Sequence, residues 1–323
     1  MVKKILKVLG CIFAVMLFLL GAVIYAYPFI NGYTVNKNAE EALQVFRSQR
    51  NIVSEQKNNE NNNQSDSEQK NNKDNFTKLY EDMKKYNSDI YKNGQKDLKD
   101  AWSYEQSAFD LSQYGIYNGV IAELRIPKMD LDQPIYLGAT WENMGIGTAQ
   151  LGQTSMPIGG NNTNCVIAGH RGSSGGKFFL DIELLETGDK VYIDNLWETL
   201  TYRVSTIEII DPYDTDKIHI QNNKDMVTLV TCHPYPYNYQ RYVVYCERYY
   251  ENENNPDTPN NNNSDVSTEN SYSEISKAES SSQQTQINDG GSQFFIVFEK
   301  SLYIIVPTVL IILAILLFKR KKS

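Results

Sequence analysis

Two long apolar runs bound the part of this chain that can fold as a water-soluble domain. The first covers residues 8–26, 19 residues without a charge, which is long enough to cross the hydrocarbon core of a membrane as a helix. The second covers residues 302–318, 17 residues followed directly by a basic tail. We therefore expect an N-terminal anchor over residues 1–30 and a C-terminal anchor over residues 294–323.

Basic residues flank both runs on their terminal sides: Lys3, Lys4 and Lys7 at one end, and Lys319, Arg320, Lys321 and Lys322 at the other. By the positive-inside rule, this pattern predicts two transmembrane helices with both termini in the cytoplasm and the rest on the extracellular face. A cleaved signal peptide is the alternative for the first run. That run is longer than the usual signal-peptide core, and no Ala-x-Ala site follows it, so we favour an uncleaved anchor.

The segment between the anchors is acidic and contains two polar stretches. It holds 24 Lys and Arg against 39 Asp and Glu, a net charge of about −15, which argues against nucleic acid as a partner. Residues 51–75 and 251–293 have few apolar side chains, so both are predicted to be disordered. Residues 31–75 are interpreted as a partly disordered stalk that lifts a domain off the membrane, and residues 251–293 as a linker.

The folded part is predicted to be mainly β. Residues 78–91 have helical apolar spacing, within a helical segment over residues 76–117. From residue 118 to 250, short runs rich in Val, Ile, Thr and Tyr alternate with turn signals. Strands are predicted over residues 120–126, 165–168, 191–194, 200–210, 227–232 and 242–247. Many short strands after a helical region indicate a closed or nearly closed β-barrel.

Four cysteines are present: Cys11 lies in the first apolar run, and Cys165, Cys232 and Cys246 lie between the anchors. Three cysteines cannot all form disulfides with one another, so at least one is expected to be a free thiol. Cys232 ends an apolar strand just before a proline-containing turn, where a rigid backbone could present a nucleophile. Cys165 and Cys246 lie within apolar strands and are interpreted as packing residues. The spacing of His and Cys residues suggests no metal site.

The chain has three histidines that could exchange protons with Cys232. His170 lies where a strand opens into a glycine-rich loop, a position from which a polar side chain reaches a cleft. His219 is flanked by apolar residues and is interpreted as a solvent-facing strand residue. His233 follows Cys232 directly, and adjacent strand residues point to opposite faces. Arg241, at the start of the last strand, could donate hydrogen bonds to a carbonyl oxygen that becomes negative.

Taken together, these motifs resemble the sortase family over roughly residues 102–248. The family's TLxTC strand is similar to residues 228–232, Thr-Leu-Val-Thr-Cys, and its histidine and arginine contexts resemble those of His170 and Arg241. The resemblance implies a sortase-type barrel with Cys232 as nucleophile and His170 as general acid and base. It assigns Arg241 to substrate binding and oxyanion stabilisation, and it implies no cofactor.

Within the family, the chain is most similar to the pilus-assembling class C. The similarity includes the Ile-Pro-Lys-Met motif at residues 126–129, the C-terminal anchor and the segment before the barrel. Class C members carry a lid with an Asp-Pro-aromatic motif, which Asp100, Ala101 and Trp102 resemble, with alanine in place of proline. The resemblance implies that Trp102 covers Cys232 while Asp100 pairs with a nearby cation such as Arg241.

The activity implied is transpeptidation. Cys232 would cleave an LPxTG-type sorting signal between Thr and Gly, and an amine such as a pilin lysine would resolve the thioester. One alternative is a sortase that attaches surface proteins to the cell-wall peptide, with that peptide as the amine. A cysteine protease and a non-catalytic membrane protein with two spans are further alternatives.

Overall fold

The computed structural model describes residues 2–58, 67–107, 109–172 and 176–250. Eight strands in this part of the chain form a closed barrel, which confirms the predicted β fold. They are β1 (Val120–Ile126), β2 (Leu131–Leu137), β3 (Thr148–Gln150), β4 (Thr163–Ala168), β5 (Lys190–Asp194), β6 (Thr199–Ile210), β7 (Asp225–His233) and β8 (Gln240–Arg248). Their order around the barrel is β1-β2-β3-β4-β7-β8-β6-β5, so every strand is paired on both sides.

Six of these strands overlap the predicted ones, whereas β2 and β3 were not predicted. β2 contains Pro134, which cannot donate a backbone hydrogen bond and normally argues against a strand within a sheet. The Thr148 hydroxyl donates a hydrogen bond to the Pro134 carbonyl oxygen, 2.9 Å away, and so joins β2 to β3 beside the proline. β3 has three residues, too few for an alternating pattern to stand out in the sequence.

The strand directions decide which residues share an end of the barrel. β7 is antiparallel to β8 and parallel to β4, while β3 is antiparallel to β4 and parallel to β2. It follows that β4 and β7 finish, and β2 and β8 begin, at the same end. We call this the cleft end.

The first helix, α1 (Val2–Asn58), continues well beyond the predicted anchor. Among the described residues, it is the one helix long and apolar enough to cross a membrane, by length and composition. Beyond that apolar part, the buried side chains of Val35, Ala39, Leu43 and Phe46 follow one another at intervals of three or four residues. This spacing gives the helix an apolar face, and Phe46 on that face packs into the barrel core. Within the predicted stalk, residues 31–75, the part of α1 from Val35 to Phe46 is therefore buried on one side.

Ion pairs fix the direction in which α1 crosses the barrel wall. Asn36 and the start of β2, at the cleft end, line the same cavity of about 240 Å³. Farther along the helix, Arg47 Nε donates a hydrogen bond to Glu123, 3.1 Å away, and Arg50 Nη1 donates one to Asp194, 2.8 Å away. Both carboxylates are buried and need these partners. α1 thus runs from the cleft end towards the opposite end.

The second helix, α2 (Ser67–Asn93), contains the predicted helix and extends ahead of it. The buried residues Phe76, Leu79, Met83 and Ile90 form its inner face. The helical state of residues 51–58 and 67–75 contradicts the disorder predicted for 51–75, because Glu, Gln and Lys extend a helix readily once packing holds its neighbouring turns. The predicted linker (251–293) and C-terminal anchor (294–323) lie outside the described residues.

Candidate active site

Three neighbouring strand ends bring the three predicted site residues together at the cleft end. Cys232 on β7 is paired directly with Arg241 on β8. On the other side of β7, Ala168 of β4 is paired with Val230 in parallel register. Extending that register by two residues places His170 beside Cys232. Because residues level with one another in a sheet point to the same face, the three side chains share one face.

A glycine and a threonine carry the pairing of β4 with β7 past the end of β4. The Gly169 amide donates a hydrogen bond to the Val230 carbonyl oxygen, 3.2 Å away. The hydroxyl of Thr231 donates one to the Gly169 carbonyl oxygen, 2.7 Å away. A side chain at Gly169 would meet the Phe179 ring at 2.9 Å, so the close packing of this strand end requires glycine.

Every nitrogen of the Arg241 guanidinium has a hydrogen-bond partner. Nε and Nη2 donate to the two carboxylate oxygens of Asp100, 2.7 and 2.8 Å away. Nη1 donates to the carbonyl oxygens of Asn238 and Gln240, 3.1 and 2.9 Å away. Burial is the largest single influence and disfavours the charged form, but the hydrogen bonding and charge of Asp100, together with Cys232 and Asp211, outweigh it, and the pKa of Arg241 is raised. The predicted pairing of Asp100 with Arg241 is confirmed.

The segment that carries Asp100 lies over the same residues. Asp100 caps a short 3-10 helix, Ala101–Ser103, by accepting a hydrogen bond from the Trp102 amide, 3.1 Å away. The Arg241 guanidinium carbon lies 4.4 Å from the centre of the Trp102 ring, within the range of a cation–π contact. The same ring meets His170 edge to face, with ring centres 6.1 Å apart. Asp100 and Trp102 thus contact two of the three site residues.

Burial governs the charge of the thiol and the imidazole. Cys232 is 7% exposed, and burial raises the pKa of its thiol to about 11, an effect that Arg241 opposes and Asp100 reinforces. Burial also lowers the pKa of His170. Both groups are therefore neutral at pH 7 in this structure. The positive charge of Arg241 favours the thiolate, but burial and the Asp100 carboxylate outweigh that effect.

The other cysteines and histidines lie elsewhere. Cys165 and Cys246 are buried and free, and burial raises the pKa of both thiols, as fits packing residues. His219 ends a short 3-10 helix, Thr215–Ile218, and is not part of a strand as predicted. His233 contacts Arg171, away from Cys232. Among the described residues, no three His, Cys, Asp or Glu side chains are grouped to hold a metal.

Two aromatic residues of the site were not predicted from the sequence. The Phe178 ring meets His170 edge to face, with centres 6.4 Å apart. Tyr104 follows the 3-10 helix in a left-handed conformation, and its ring packs edge to face on Trp141. Burial raises the pKa of Tyr104, and the charges of Cys232 and Asp100 raise it further, so this ring lies in the neighbourhood of the site. In the sequence, only the position of Tyr104, two residues after Trp102, could have indicated that it belongs to the site.

Comparison with known proteins links this geometry to one family. Residues 124–249, which include all three site residues, match the family model described as the sortase domain. Sortase A of Bacillus anthracis is 25% identical over 233 residues, which cover 72% of this chain and 91% of that protein. Sortase D of Bacillus subtilis is 29% identical over 128 residues, covering 39% of this chain and 62% of that protein.

Solved structures also resemble the chain. The structure of sortase C1 of GBS pilus island 1 matches with a TM-score of 0.55 and 26% identity, over 68% of this chain and 96% of that one. The type II crystal structure of Streptococcus agalactiae sortase C1 matches with a TM-score of 0.52 and 31% identity, over 56% of this chain and 93% of that one. These matches extend beyond the residues that the family model covers.

Proposed function

This chain belongs to the sortase family of transpeptidases, and from that premise we propose that Cys232 cleaves an LPxTG-like sorting signal between Thr and Gly. The acyl group then passes to an amine, for which we propose a pilin lysine, so that the enzyme polymerises pilins. The observation that carries this proposal is the alignment of Cys232, His170 and Arg241 on three neighbouring strand ends. The alternative of a non-catalytic membrane protein is not retained.

In the proposed reaction, the Cys232 proton passes to His170 as the sulfur attacks the Thr carbonyl carbon. The C–N bond to Gly then breaks, and His170 gives the proton to the departing amine. The incoming amine attacks the thioester and loses its proton to His170, the C–S bond breaks, and the proton returns to the sulfur. Arg241 donates hydrogen bonds to the oxygen that is negative in both tetrahedral intermediates. No step uses a cofactor.

We assign the residues around Asp100 and Trp102 to a lid over this site. Asp100 occupies the two Arg241 nitrogens, Nε and Nη2, that would otherwise face a substrate carbonyl. Trp102 stacks on the same guanidinium and borders His170. The sorting signal can therefore reach Arg241 only when Asp100 has left it. Lid opening would free the guanidinium and expose the thiol in the same step.

Opening the lid by mutation is expected to activate the thiol. Asp100→Asn removes a charge that raises the pKa of Cys232, so the midpoint of the pH profile of alkylation by iodoacetamide should move to lower pH. Trp102→Ala should do the same by exposing the sulfur to water. Both variants should also hydrolyse an LPxTG peptide faster than the wild type does. Mass spectrometry identifies Cys232 as the alkylated residue.

Glu105→Gln serves as the matched control, because Glu105 lies in the same segment and pairs with the exposed Lys99 instead of Arg241. Its alkylation profile should match that of the wild type. Identical midpoints in the wild type, Asp100→Asn and Trp102→Ala would contradict the lid assignment.

Arg241→Lys is expected to reduce turnover about 100-fold, the usual cost of removing one oxyanion donor. An ammonium group can replace the charge but not the planar fork that holds two oxygens at once. Steady-state cleavage of an LPxTG peptide measures the effect, and circular dichroism verifies the fold. Turnover within about threefold of the wild type would mean that Arg241 contributes only its positive charge and not hydrogen bonds to the oxyanion.

The amine acceptor separates the pilin proposal from its main alternative. The chain, incubated with an LPxTG peptide library and a choice of amines, should form a thioester on Cys232 and then an amide product, both detected by mass spectrometry. A lysine side chain in a pilin segment should be preferred over a cell-wall peptide amine. Preference for the cell-wall peptide would instead indicate attachment of surface proteins, and release by water alone would indicate a protease.

We further propose that the chain is a two-pass membrane protein. The apolar half of α1 supports the first span, and the basic residues on the terminal side of both apolar runs support cytoplasmic termini. The barrel would then lie on the extracellular face, where pilins and cell-wall precursors are found.

A further inference from the structure

The residues that directly follow the three proposed catalytic residues in the sequence have side chains that together form one cluster. Successive residues of a strand point to opposite faces of a sheet. The side chains next to His170, Cys232 and Arg241 therefore lie behind the active face. These three followers are Arg171, His233 and Tyr242.

The three followers contact one another. Arg171 Nη1 lies 3.1 Å from His233 Nδ1. Arginine can only donate a hydrogen bond, so His233 Nδ1 is the acceptor in this contact. The Arg171 guanidinium lies 5.9 Å from the Tyr242 ring centre, and the His233 ring centre lies 5.7 Å from that of Tyr242.

A carboxylate completes the cluster. Glu183, from the short 3-10 helix Ile182–Leu184, lies 2.6 Å from Arg171 Nη2. The hydrogen bond from Arg171 lowers the pKa of Glu183, so the carboxylate is charged. The Arg171 side chain is only 8% exposed, and its two terminal nitrogens, Nη1 and Nη2, contact different partners, His233 and Glu183. A buried, doubly held guanidinium is a rigid connection between elements.

We propose that Arg171, Glu183, His233 and Tyr242, the back-face cluster, position His170 against Cys232 during acyl transfer. β4 ends at Ala168, so His170 lies two residues beyond the last ladder pair that joins β4 to β7. The Arg171–His233 hydrogen bond joins the segment after β4 to the end of β7, one residue beyond His170 and Cys232. These are positioning residues, because they act through the residues that precede them.

This inference rests on the proposed function, since it concerns the geometry of that reaction. A displacement of about 1 Å in a reacting group can reduce a rate by about 100-fold. Loss of the Arg171–His233 hydrogen bond should therefore lower kcat by about 10- to 100-fold while leaving KM within about twofold. The KM should change little because the back-face cluster lies on the other face of the sheet from the bound peptide.

The decisive comparison is between His233→Leu and His233→Asn in the full chain. Leucine cannot accept the Arg171 hydrogen bond, whereas the asparagine oxygen can take the place of Nδ1. We expect kcat to fall by about 10- to 100-fold in His233→Leu and to remain at least about half of the wild-type value in His233→Asn. The substrate is an LPxTG peptide cleaved by the wild type, and thermal unfolding is measured for each variant.

Arg203→Ala is the control for loss of stability alone, because Arg203 stacks on Tyr249, 3.6 Å from the ring centre, in another part of the barrel. It should lower the melting temperature without lowering kcat. Normal kcat in His233→Leu, equal losses in His233→Leu and His233→Asn, or a matching loss in Arg203→Ala would overturn the positioning role. A wild type that forms no acyl-enzyme on Cys232 with any LPxTG peptide would overturn the proposed function as well.

Discussion

The Cys232→Ala variant is expected to lose both peptide cleavage and transfer to an amine, with turnover reduced at least about 10³-fold. No covalent intermediate can form without the sulfur. A water molecule in its place is not fixed to the backbone and so is not held in line with the carbonyl carbon. The loss should affect thioester formation and product formation equally. Intact mass spectrometry of the chain with an LPxTG peptide, together with quantification of the amide product, measures both.

Cys246→Ala is the control for this experiment. Its thiol is buried in β8 and belongs to the core, so the substitution should cost some stability but leave the thioester on Cys232 unchanged. His170→Ala should resemble Cys232→Ala in turnover, because one imidazole serves both proton transfers. Retained cleavage in Cys232→Ala, or lost turnover in a folded Cys246→Ala, would show that the nucleophile has been misassigned.

Phe46→Ala is expected to lower the free energy of unfolding by about 3–5 kcal/mol, the usual cost of truncating a buried phenylalanine. Phe46 lies in α1 yet is fully buried in the same core as the barrel strands. If α1 were a free stalk, the substitution would have almost no effect on the barrel. Denaturant unfolding of the purified chain in detergent, followed by tryptophan fluorescence, measures the change.

Val45→Ala is the matched control, because Val45 precedes Phe46 in the same helix and is 50% exposed. Its effect should stay within about 0.5 kcal/mol, as for other surface substitutions. Equal effects of the two substitutions would mean that α1 does not contribute to the stability of the barrel.

Much of the site could be predicted because it depends on local sequence signals. β7, which carries Cys232 near its end, and β8, which carries Arg241 near its start, each have a clear apolar pattern, and a short connection makes them neighbours. His170 follows a comparable strand, β4. The parallel pairing of β4 with β7, which brings His170 beside Cys232, could not be derived from these patterns.

The remaining features depend on contacts between distant parts of the chain. Polar composition suggested a stalk before residue 75, but the intervals between Val35, Ala39, Leu43 and Phe46 determine the structure of α1. The charge state of Cys232 also depends on such contacts. Sequence placed a cation beside the thiol, whereas burial and the pairing of that cation with Asp100 become visible only when the fold is assembled.

Under the proposed membrane topology, the docking of α1 on the barrel also decides which end of the barrel lies nearer the bilayer. With residues 8–26 in the membrane, Asn36 lies about 15 Å above the bilayer along the helix, and Arg50 about 36 Å, at 1.5 Å per residue. Asn36 borders the cleft end, and Arg50 binds Asp194 towards the opposite end. In that topology, the end of the barrel at which β2 begins lies nearer the bilayer than Asp194, the residue at which β5 ends.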